Sequence, residues 1–243
     1  MKKSLFVISS FSLAAVAIIV LSACNQVGSA MNGSGKVVDK EINVANFTGV
    51  NVQGPFKVGI IQSDSFQVII STDENLTNRI LISREDETLK IGIQAPATFF
   101  PTSLSLKIGM PRLYNLNLSG GAQAGLSGFK STFNFSLDIS EKSTLQGYLD
   151  AGNCDFNVAD GSQVNLTGSA IGLDLDGSGA SKLDLENFPL NTAKVSLKEG
   201  SESVLNINWR IDVDLTDASK IYYVGDPIIS SASISNGSVM KHK

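Results

Sequence analysis

The sequence predicts an all-β fold, a parallel β-helix (β-solenoid) with about six regular rungs of about 19 residues and a less regular strand-rich N-terminal part. Three observations predict it. A pattern of alternating apolar and polar residues returns six times after residue 113. The chain holds 32 Ser, 22 Gly and 18 Asn but only 6 Pro, which is typical of short strands joined by turns. No repeat contains an amphipathic stretch of helix length.

The first 23 residues resemble a bacterial lipoprotein signal peptide. Lys2 and Lys3 precede an apolar run that ends in Leu21-Ser22-Ala23-Cys24. The resemblance implies cleavage before Cys24 and lipidation of that cysteine, which attaches the protein to the lipid bilayer. An uncleaved membrane anchor is the alternative. Both predict an extracytoplasmic protein on the bacterial cell membrane or outer membrane.

The remaining chain divides into a tether and a body. Residues 24–40 are predicted to be the lipidated cysteine and a flexible tether, because Asn, Gln, Gly and Ser dominate there. Residues 41–240 are the predicted solenoid domain, with irregular strands or a cap over 41–110 and regular rungs over 111–230. Within the irregular part we predict the strands 49–52, 56–61, 66–71, 80–84, 89–93 and 104–110, a helical turn at 73–78 and a hairpin loop at 85–87.

The regular rungs are predicted from six alternating segments, each with three apolar and two polar residues. The segments are 114–118, 135–139, 154–158, 171–175, 193–197 and 211–215. Short segments that end in Gly or Asn recur between them with the same period, and Gly/Ser-rich corners separate the two series. A leucine-rich repeat is excluded because the position of Leu113 becomes Asn134, Asn153, Ala170, Thr192 and Arg210 in later repeats.

Several short motifs resemble the head GIN domain family, labelled putative auto-transporter adhesin. They are Phe47-Thr48-Gly49-Val50, Asp73-Glu74-Asn75-Leu76, Thr88-Leu89-Lys90-Ile91, the Gly/Ser corners and the ending 219–227. The resemblance covers roughly residues 36–240. It implies a right-handed β-helix on a secreted or lipid-anchored bacterial protein, and it supplies no catalytic residues.

Charge and titratable residues argue against several function classes. The net charge is −4, and cleavage of the leader removes Lys2 and Lys3 to give −6, so nucleic-acid binding is not expected. The sole histidine, His242, is penultimate, which argues against Ser-His-Asp catalysis and a zinc site. Cys154 occupies an apolar position of a strand and is expected to be a buried small hydrophobe. No enzyme activity and no cofactor are predicted.

Two sets of residues are the candidate contacts for a ligand or partner. The first comprises Asp174 and Asp176 on one rung, and Asp212 and Asp214 on another, which are predicted to project outward as a solvated polar face. A weak calcium site or a polysaccharide-active enzyme are the alternatives for this face, and the enzyme is favoured only if the face is a groove with basic residues. No Arg or Lys cluster is expected beside these carboxylates. The second set is Phe99 and Phe100, which lie between two prolines. Trp209 and Tyr222 are further aromatic candidates for contact with a partner.

The expected function is that of a membrane-anchored adhesin or binding module with a rigid, low-charge surface. A cell-surface glycan or an envelope protein is the expected partner. A polysaccharide-active enzyme and a purely structural envelope protein are the alternatives.

Overall fold

The alternation of the sequence becomes a stack of short strands. The computed structural model describes residues 31–94 and 99–243. The strands are β1 (Met31–Asn32), β2 (Val37–Glu41), β3 (Gly49–Gln53), β4 (Lys57–Gln62), β5 (Gln67–Asp73), β6 (Ile80–Glu85), β7 (Thr88–Ile93), β8 (Phe99–Phe100), β9 (Leu104–Met110), β10 (Asn115–Ser119), β11 (Gln123–Lys130), β12 (Phe135–Ile139), β13 (Thr144–Asp150), β14 (Asn153–Val158), β15 (Gln163–Gly177), β16 (Lys182–Leu197), β17 (Glu202–Leu215), β18 (Lys220–Val224), β19 (Ile228–Ile234) and β20 (Val239–His242). A 3₁₀ turn spans Glu74–Arg79.

Two parallel ladders run the length of the molecule. The first ladder pairs β3, β10, β12 and β14, continues through the second halves of β15, β16 and β17, and ends at β19. The second ladder pairs β4, β11 and β13, continues through the first halves of β15, β16 and β17, and ends at β18 and β20. The predicted β-helix is confirmed, with about seven turns at a spacing of about 19 residues. The last rung, β19 and β20, lies beyond the six predicted repeats.

The N-terminal part contains both rungs and a cap. Strands β7 and β9 pair in parallel with β3 and β4 on the side away from β10 and β11, so a rung that comes later in the sequence lies outside an earlier one. Antiparallel strands cover this outer rung, because β6 pairs with β7 and β5 pairs with β9. The six predicted strands, the helical turn and the hairpin loop are all present.

Residues 31–41 differ from the predicted flexible tether. They contain β1, which pairs with β8, and β2, which pairs antiparallel with β5. The buried carboxylate of Asp73 holds this segment: it accepts hydrogen bonds from the Gly35 N–H (2.8 Å) and from the Thr102 N–H (2.7 Å) and hydroxyl (2.8 Å). The side chains of β2 are mostly exposed, so the segment lacks the apolar alternation that predicts strands. Cys24 and the signal-peptide residues lie outside the described residues.

The corners between the two ladders are stacked two-residue turns. Both central residues have positive φ in seven successive corners, which are Gly120-Gly121, Glu141-Lys142, Asp160-Gly161, Gly179-Ala180, Glu199-Gly200, Asp217-Ala218 and Asn236-Gly237. This is the type I′ geometry, which glycine and asparagine adopt most easily. A small residue follows each turn and points inward, and five of these are the buried serines 143, 162, 181, 201 and 219.

The core is a continuous apolar column between the ladders. Inward residues of each rung stack on their equivalents in the next, as in the edge-to-face pair Phe135 and Phe156, whose centroids are 6.0 Å apart. Cys154 belongs to this column and is 2% exposed, as predicted. Desolvation raises the pKa of its thiol to about 12, so Cys154 is a core residue without nucleophilic character.

Candidate ligand-binding groove

Parallel stacking places the outward side chains of the first ladder in columns. Residues about one repeat apart in sequence become neighbours one rung apart, at about 4.8 Å. One column, named here the central column, contains Asn115, Ser136, Asp155, Asp174, Lys194, Asp212 and Ser231. The strand register therefore decides which charges meet.

A groove of about 1110 Å³ runs along the central column over six rungs. Its lining includes Tyr114, Asn115, Phe133, Asn134, Ser136, Asn153, Asp155, Gly172, Asp174, Thr192, Lys194, Arg210 and Asp212. Six rungs span roughly 24 Å along the helix axis. The groove is therefore long and open, and its shape suits an extended ligand.

The N-terminal end of the groove is aromatic. Tyr114 and Phe133 meet edge to face with centroids 5.4 Å apart, and the guanidinium carbon of Arg112 lies 5.5 Å from the Phe133 centroid. Phe133 is 51% exposed, so a large part of its ring is available for contact. At this end of the groove the Phe133 ring provides a flat apolar surface, and contacts with Tyr114 and Arg112 hold the ring in place.

The floor of the groove is polar and depends on a glycine. The Asn134 side-chain oxygen accepts a hydrogen bond of 3.0 Å from the Asn153 N–H, which links two rungs. A Cβ at Gly172 would lie 2.9 Å from the Asn153 side-chain oxygen and 3.0 Å from the Thr192 hydroxyl. Any larger residue at position 172 would therefore crowd the floor between these two polar groups.

The C-terminal end of the groove alternates in charge. The Lys194 ammonium lies 3.7 Å from the Asp174 carboxylate, and the Arg210 guanidinium lies 3.0 Å from the Asp212 carboxylate. The expectation that no Arg or Lys cluster lies beside these carboxylates is wrong, because Lys194 and Arg210 both line this end of the groove. Lys194 reaches Asp174 through the register of successive rungs, which sequence proximity does not reveal, whereas Arg210 lies only two residues before Asp212 on the same strand. The condition set for the enzymatic alternative, a groove with basic residues, is met.

A family model supplies the decisive comparison. The model described as "putative auto-transporter adhesin, head GIN domain" matches residues 46–227. The chain belongs to this family. The resemblance noted in the sequence is thereby confirmed, and the label of the family gives its members an adhesin-like, surface-associated character.

Solved structures share the fold of this head GIN domain. A "putative adhesin" from Bacteroides fragilis has 19% identity and a TM-score of 0.77, covering 88% of this chain and 99% of that chain. A "putative lipid binding protein" from Parabacteroides distasonis has 17% identity and a TM-score of 0.75, covering 88% and 100%. A "putative adhesin" from Parabacteroides merdae has 17% identity and a TM-score of 0.69, covering 88% and 99%. A search of curated proteins finds no match.

The predicted contact residues of the head GIN domain do not form one site. Asp174 and Asp212 line the groove, whereas Asp176 and Asp214 lie in the adjacent outward column. A smaller depression of about 370 Å³ brings all four together with Lys194. Phe100 is 60% exposed on β8, which pairs with β1 in a two-stranded sheet separate from the two ladders and from these carboxylates. In the two-residue pairing of β1 with β8, the backbone of Phe99 lies opposite that of Met31.

Neither a metal cluster nor a membrane-spanning helix is present in the described part of the chain. No group of three or more His, Cys, Asp or Glu side chains among residues 31–94 and 99–243 could hold a metal ion. Within the same ranges, no helix is long and apolar enough to cross a membrane.

Three exposed apolar residues occupy the corner before the first ladder, and Phe133 is the one that lines the groove. Sequence reasoning named Trp209 as a candidate contact and missed Phe133 and Ile171. Phe133, Ile171 and Trp209 each stand one residue before the first outward position of a first-ladder strand, and all three are more than half exposed. Backbone hydrogen bonds from Gly152 to Phe133 and from Ile171 to Gly152 place Phe133 two rungs from Ile171. The signal that could have found them is the recurrence of a large apolar residue at this corner in every second repeat.

Proposed function

We propose that this protein is a lipid-anchored adhesin of the bacterial envelope that binds an extended glycan through the groove of its first ladder. The groove carries the proposal because it combines an exposed aromatic end, an amide-rich floor and paired charges along roughly 24 Å. Sugars present apolar ring faces, which can pack on the aromatic end of the groove. They also present many hydroxyls, which can form hydrogen bonds with its amides and charged side chains.

Three exposed corner residues beside the first ladder, of which Phe133 lines the groove, have a spacing that supports a ligand parallel to the helix axis. Phe133, Ile171 and Trp209 follow one another at intervals of two rungs, roughly 10 Å. Exposed apolar residues at a regular interval give repeated contact points to a polymer with a repeating unit. Several weak contacts along one chain add up to useful affinity.

A glycan array tests the proposed binding. The purified domain from residue 31 onward keeps the complete described fold, and it should bind a subset of polysaccharides. Phe133→Ala should weaken binding about tenfold or more, because it removes the aromatic end of the groove. Phe100→Ala is the matched control, since Phe100 is 60% exposed, against 51% for Phe133, but lies on β8, outside the two ladders. Loss of binding in the control alone would move the site to β8.

The anchoring half of the proposal rests on Cys24 and the residues before it. Lipidation of Cys24 would hold the protein at the membrane even though its net charge of −6 gives no attraction to anionic lipids. We expect Cys24→Ala to abolish incorporation of radiolabelled palmitate, because the variant lacks the thiol at position 24. Palmitate incorporation that persists in Cys24→Ala would contradict the lipid anchor.

A polysaccharide-active enzyme is the second candidate, and one observation favours it. Asp174, Lys194, Arg210 and Asp212 form the charged end of the groove, and β-helix enzymes can use such side chains on acidic polysaccharides. Incubating the domain with each array ligand and analysing the products by mass spectrometry separates the two candidates. Cleavage that is lost in Asp174→Asn would favour the enzyme. Binding without products favours the adhesin. The absence of both binding and products favours a structural protein.

A further inference from the structure

A second cavity lies beside the groove. It has a volume of about 690 Å³ and is separated from the groove by the short segment 131–134, of which Phe133 lines both spaces. Arg112 and Lys130 line the second cavity. A ligand in the groove that passes over Phe133 would therefore enter the neighbourhood of these two cations.

Neither cation is neutralised by a carboxylate. Arg112 lies over the Phe133 ring, and the Lys130 ammonium lies 5.7 Å from the Tyr148 centroid. In the described residues, neither side chain has a carboxylate oxygen within 4.0 Å. Lys194 and Arg210, at the other end of the groove, both have acidic partners. The positive charge near Phe133 is therefore available to a ligand.

The cavity also contains one carboxylate, that of Asp150, which is the strand partner of Lys130 in the next rung. Asp150 accepts hydrogen bonds from the Tyr148 hydroxyl at 2.6 Å and from the Ser169 hydroxyl at 2.9 Å. The hydrogen bond to Asp150 is the main reason why the pKa of Tyr148 is raised. Asp150 thus orients the ring on which Lys130 rests.

A single side chain ties together the two segments that carry the cations. The Gln62 amide donates a hydrogen bond to the Pro111 carbonyl (3.2 Å) and its oxygen accepts one from the Lys130 N–H (3.2 Å). Gln62 therefore links the backbone next to Arg112 with the backbone of Lys130. Arg112 and Lys130 thus each lie near an aromatic ring, and Gln62 links the segments that carry them. This arrangement forms a preorganised site for an anion.

We infer that Arg112 and Lys130 bind a negatively charged substituent, a carboxylate or a sulfate, of the glycan whose rings occupy the groove. This inference rests on the proposed glycan binding and adds the ligand class, an acidic polysaccharide. Guanidinium and ammonium groups suit both anions, because each can donate several hydrogen bonds to their oxygens. The rest of the acidic domain repels such a polymer, so the two cations select where the charged substituent lies.

The test uses polysaccharides printed as matched pairs. Galacturonan and hyaluronan are each printed beside their carboxyl-reduced forms, and chondroitin sulfate beside its desulfated form. We expect the wild-type domain to bind at least one acidic polymer about tenfold more tightly than its uncharged partner at low salt, as expected for hydrogen bonds to a charged group. Added NaCl should reduce this preference. The carboxyl and sulfate pairs identify which anion is recognised.

Two double variants decide whether the cations cause the preference. Arg112→Gln/Lys130→Gln should bind the acidic and uncharged forms equally. Lys142→Gln/Lys198→Gln changes the net charge by the same amount at exposed corner positions and should keep the preference. Thermal unfolding of each variant verifies that the fold is intact.

The outcomes separate this inference from the proposed function. Equal binding of both forms by the wild type, or a preference that survives Arg112→Gln/Lys130→Gln, would overturn the anion site and leave glycan binding standing. Absence of binding to every polymer in either form would reject the proposed function and the inference together.

Discussion

At the scale of single residues, the buried serines of the corners differ in one testable respect. The Ser162 hydroxyl is buried without a hydrogen-bond partner among the described residues. The Ser201 hydroxyl donates to the Lys198 carbonyl at 2.8 Å and lies 3.2 Å from the Ser181 hydroxyl. Ser162→Ala should therefore raise the free energy of unfolding by about 1 kcal/mol, whereas Ser201→Ala should lower it by about 1 kcal/mol. Urea unfolding measures both, and equal effects of the two substitutions would contradict this account.

The turn residues give a second contrast. Ala180 has a φ of 59°, a backbone conformation that is costly for any residue with a Cβ. Ala180→Gly should stabilise the fold by about 0.5–1 kcal/mol. The neighbouring Gly179→Ala should destabilise it, because the new Cβ would lie 2.8 Å from the Asp160 backbone nitrogen. Melting temperatures that shift in the same direction for both variants would show that the corner conformation is not the cause.

At the scale of elements, the contacts of Asp73 make the N-terminal segment sensitive to acid. Desolvation acts to raise the pKa of Asp73, but hydrogen bonds from Thr102, Gly35 and Ser103 together hold it below the ordinary value. The stabilisation is therefore complete above the ordinary aspartate pKa and is lost as the pH falls through the lower folded value.

The amide chemical shift of Gly35 reports this titration directly. Followed from about pH 7 to about pH 2, it should move with a midpoint below the ordinary aspartate pKa. The Asp73→Asn variant is the control, and it should show no such transition and a weakened pairing of β1 with β8. A Gly35 shift that titrates normally, or identically in the variant, would contradict the proposed role of Asp73.

The elements also show what sequence reasoning can reach. In the regular part, the local alternation of apolar and polar residues is enough to predict the strands. The predicted strand 135–139 has the same bounds as β12. The position of β7 and β9 outside β3 and β4 was not predictable, because it depends on long-range pairing that leaves no local pattern. The same limit applies to β2, whose exposed side chains carry no alternation.

The candidate groove was predictable only in part. Asp174 and Asp212 were chosen because alternation alone places them outward. Lys194 was missed because the rung spacing varies by one or two residues, so the register that brings it to Asp174 had to be observed. Arg210 was missed although it lies only two residues before Asp212 on the same strand. Phe133 was missed because it lies in a corner, outside the alternating segments.

At the scale of the whole molecule, the two ends of the stack differ in protection. Strands β5 and β6 cover the outer N-terminal rung, whereas every side chain of β19 is exposed. Because each rung of a solenoid is stabilised mainly by its neighbours, the amides of β19 and β20 should exchange with deuterium faster than those of β14 to β16. Uniform exchange along the stack would indicate a single cooperative unit instead.

The two ends of the groove differ in chemistry. The end toward the N-terminal rungs carries the aromatic rings and Arg112, and the end toward the C-terminal rungs carries the ion pairs of Lys194 and Arg210. A polymer with a repeating unit can use every rung between them, which explains how a β-helix could bind a glycan without a deep pocket.

The most direct test of this account is a crystal structure of the domain with the polysaccharide fragment that binds most tightly on the array. We predict that the fragment lies in the groove, parallel to the helix axis, with one sugar ring against Phe133. A fragment bound at β8, on the second ladder or across the rungs would contradict the account.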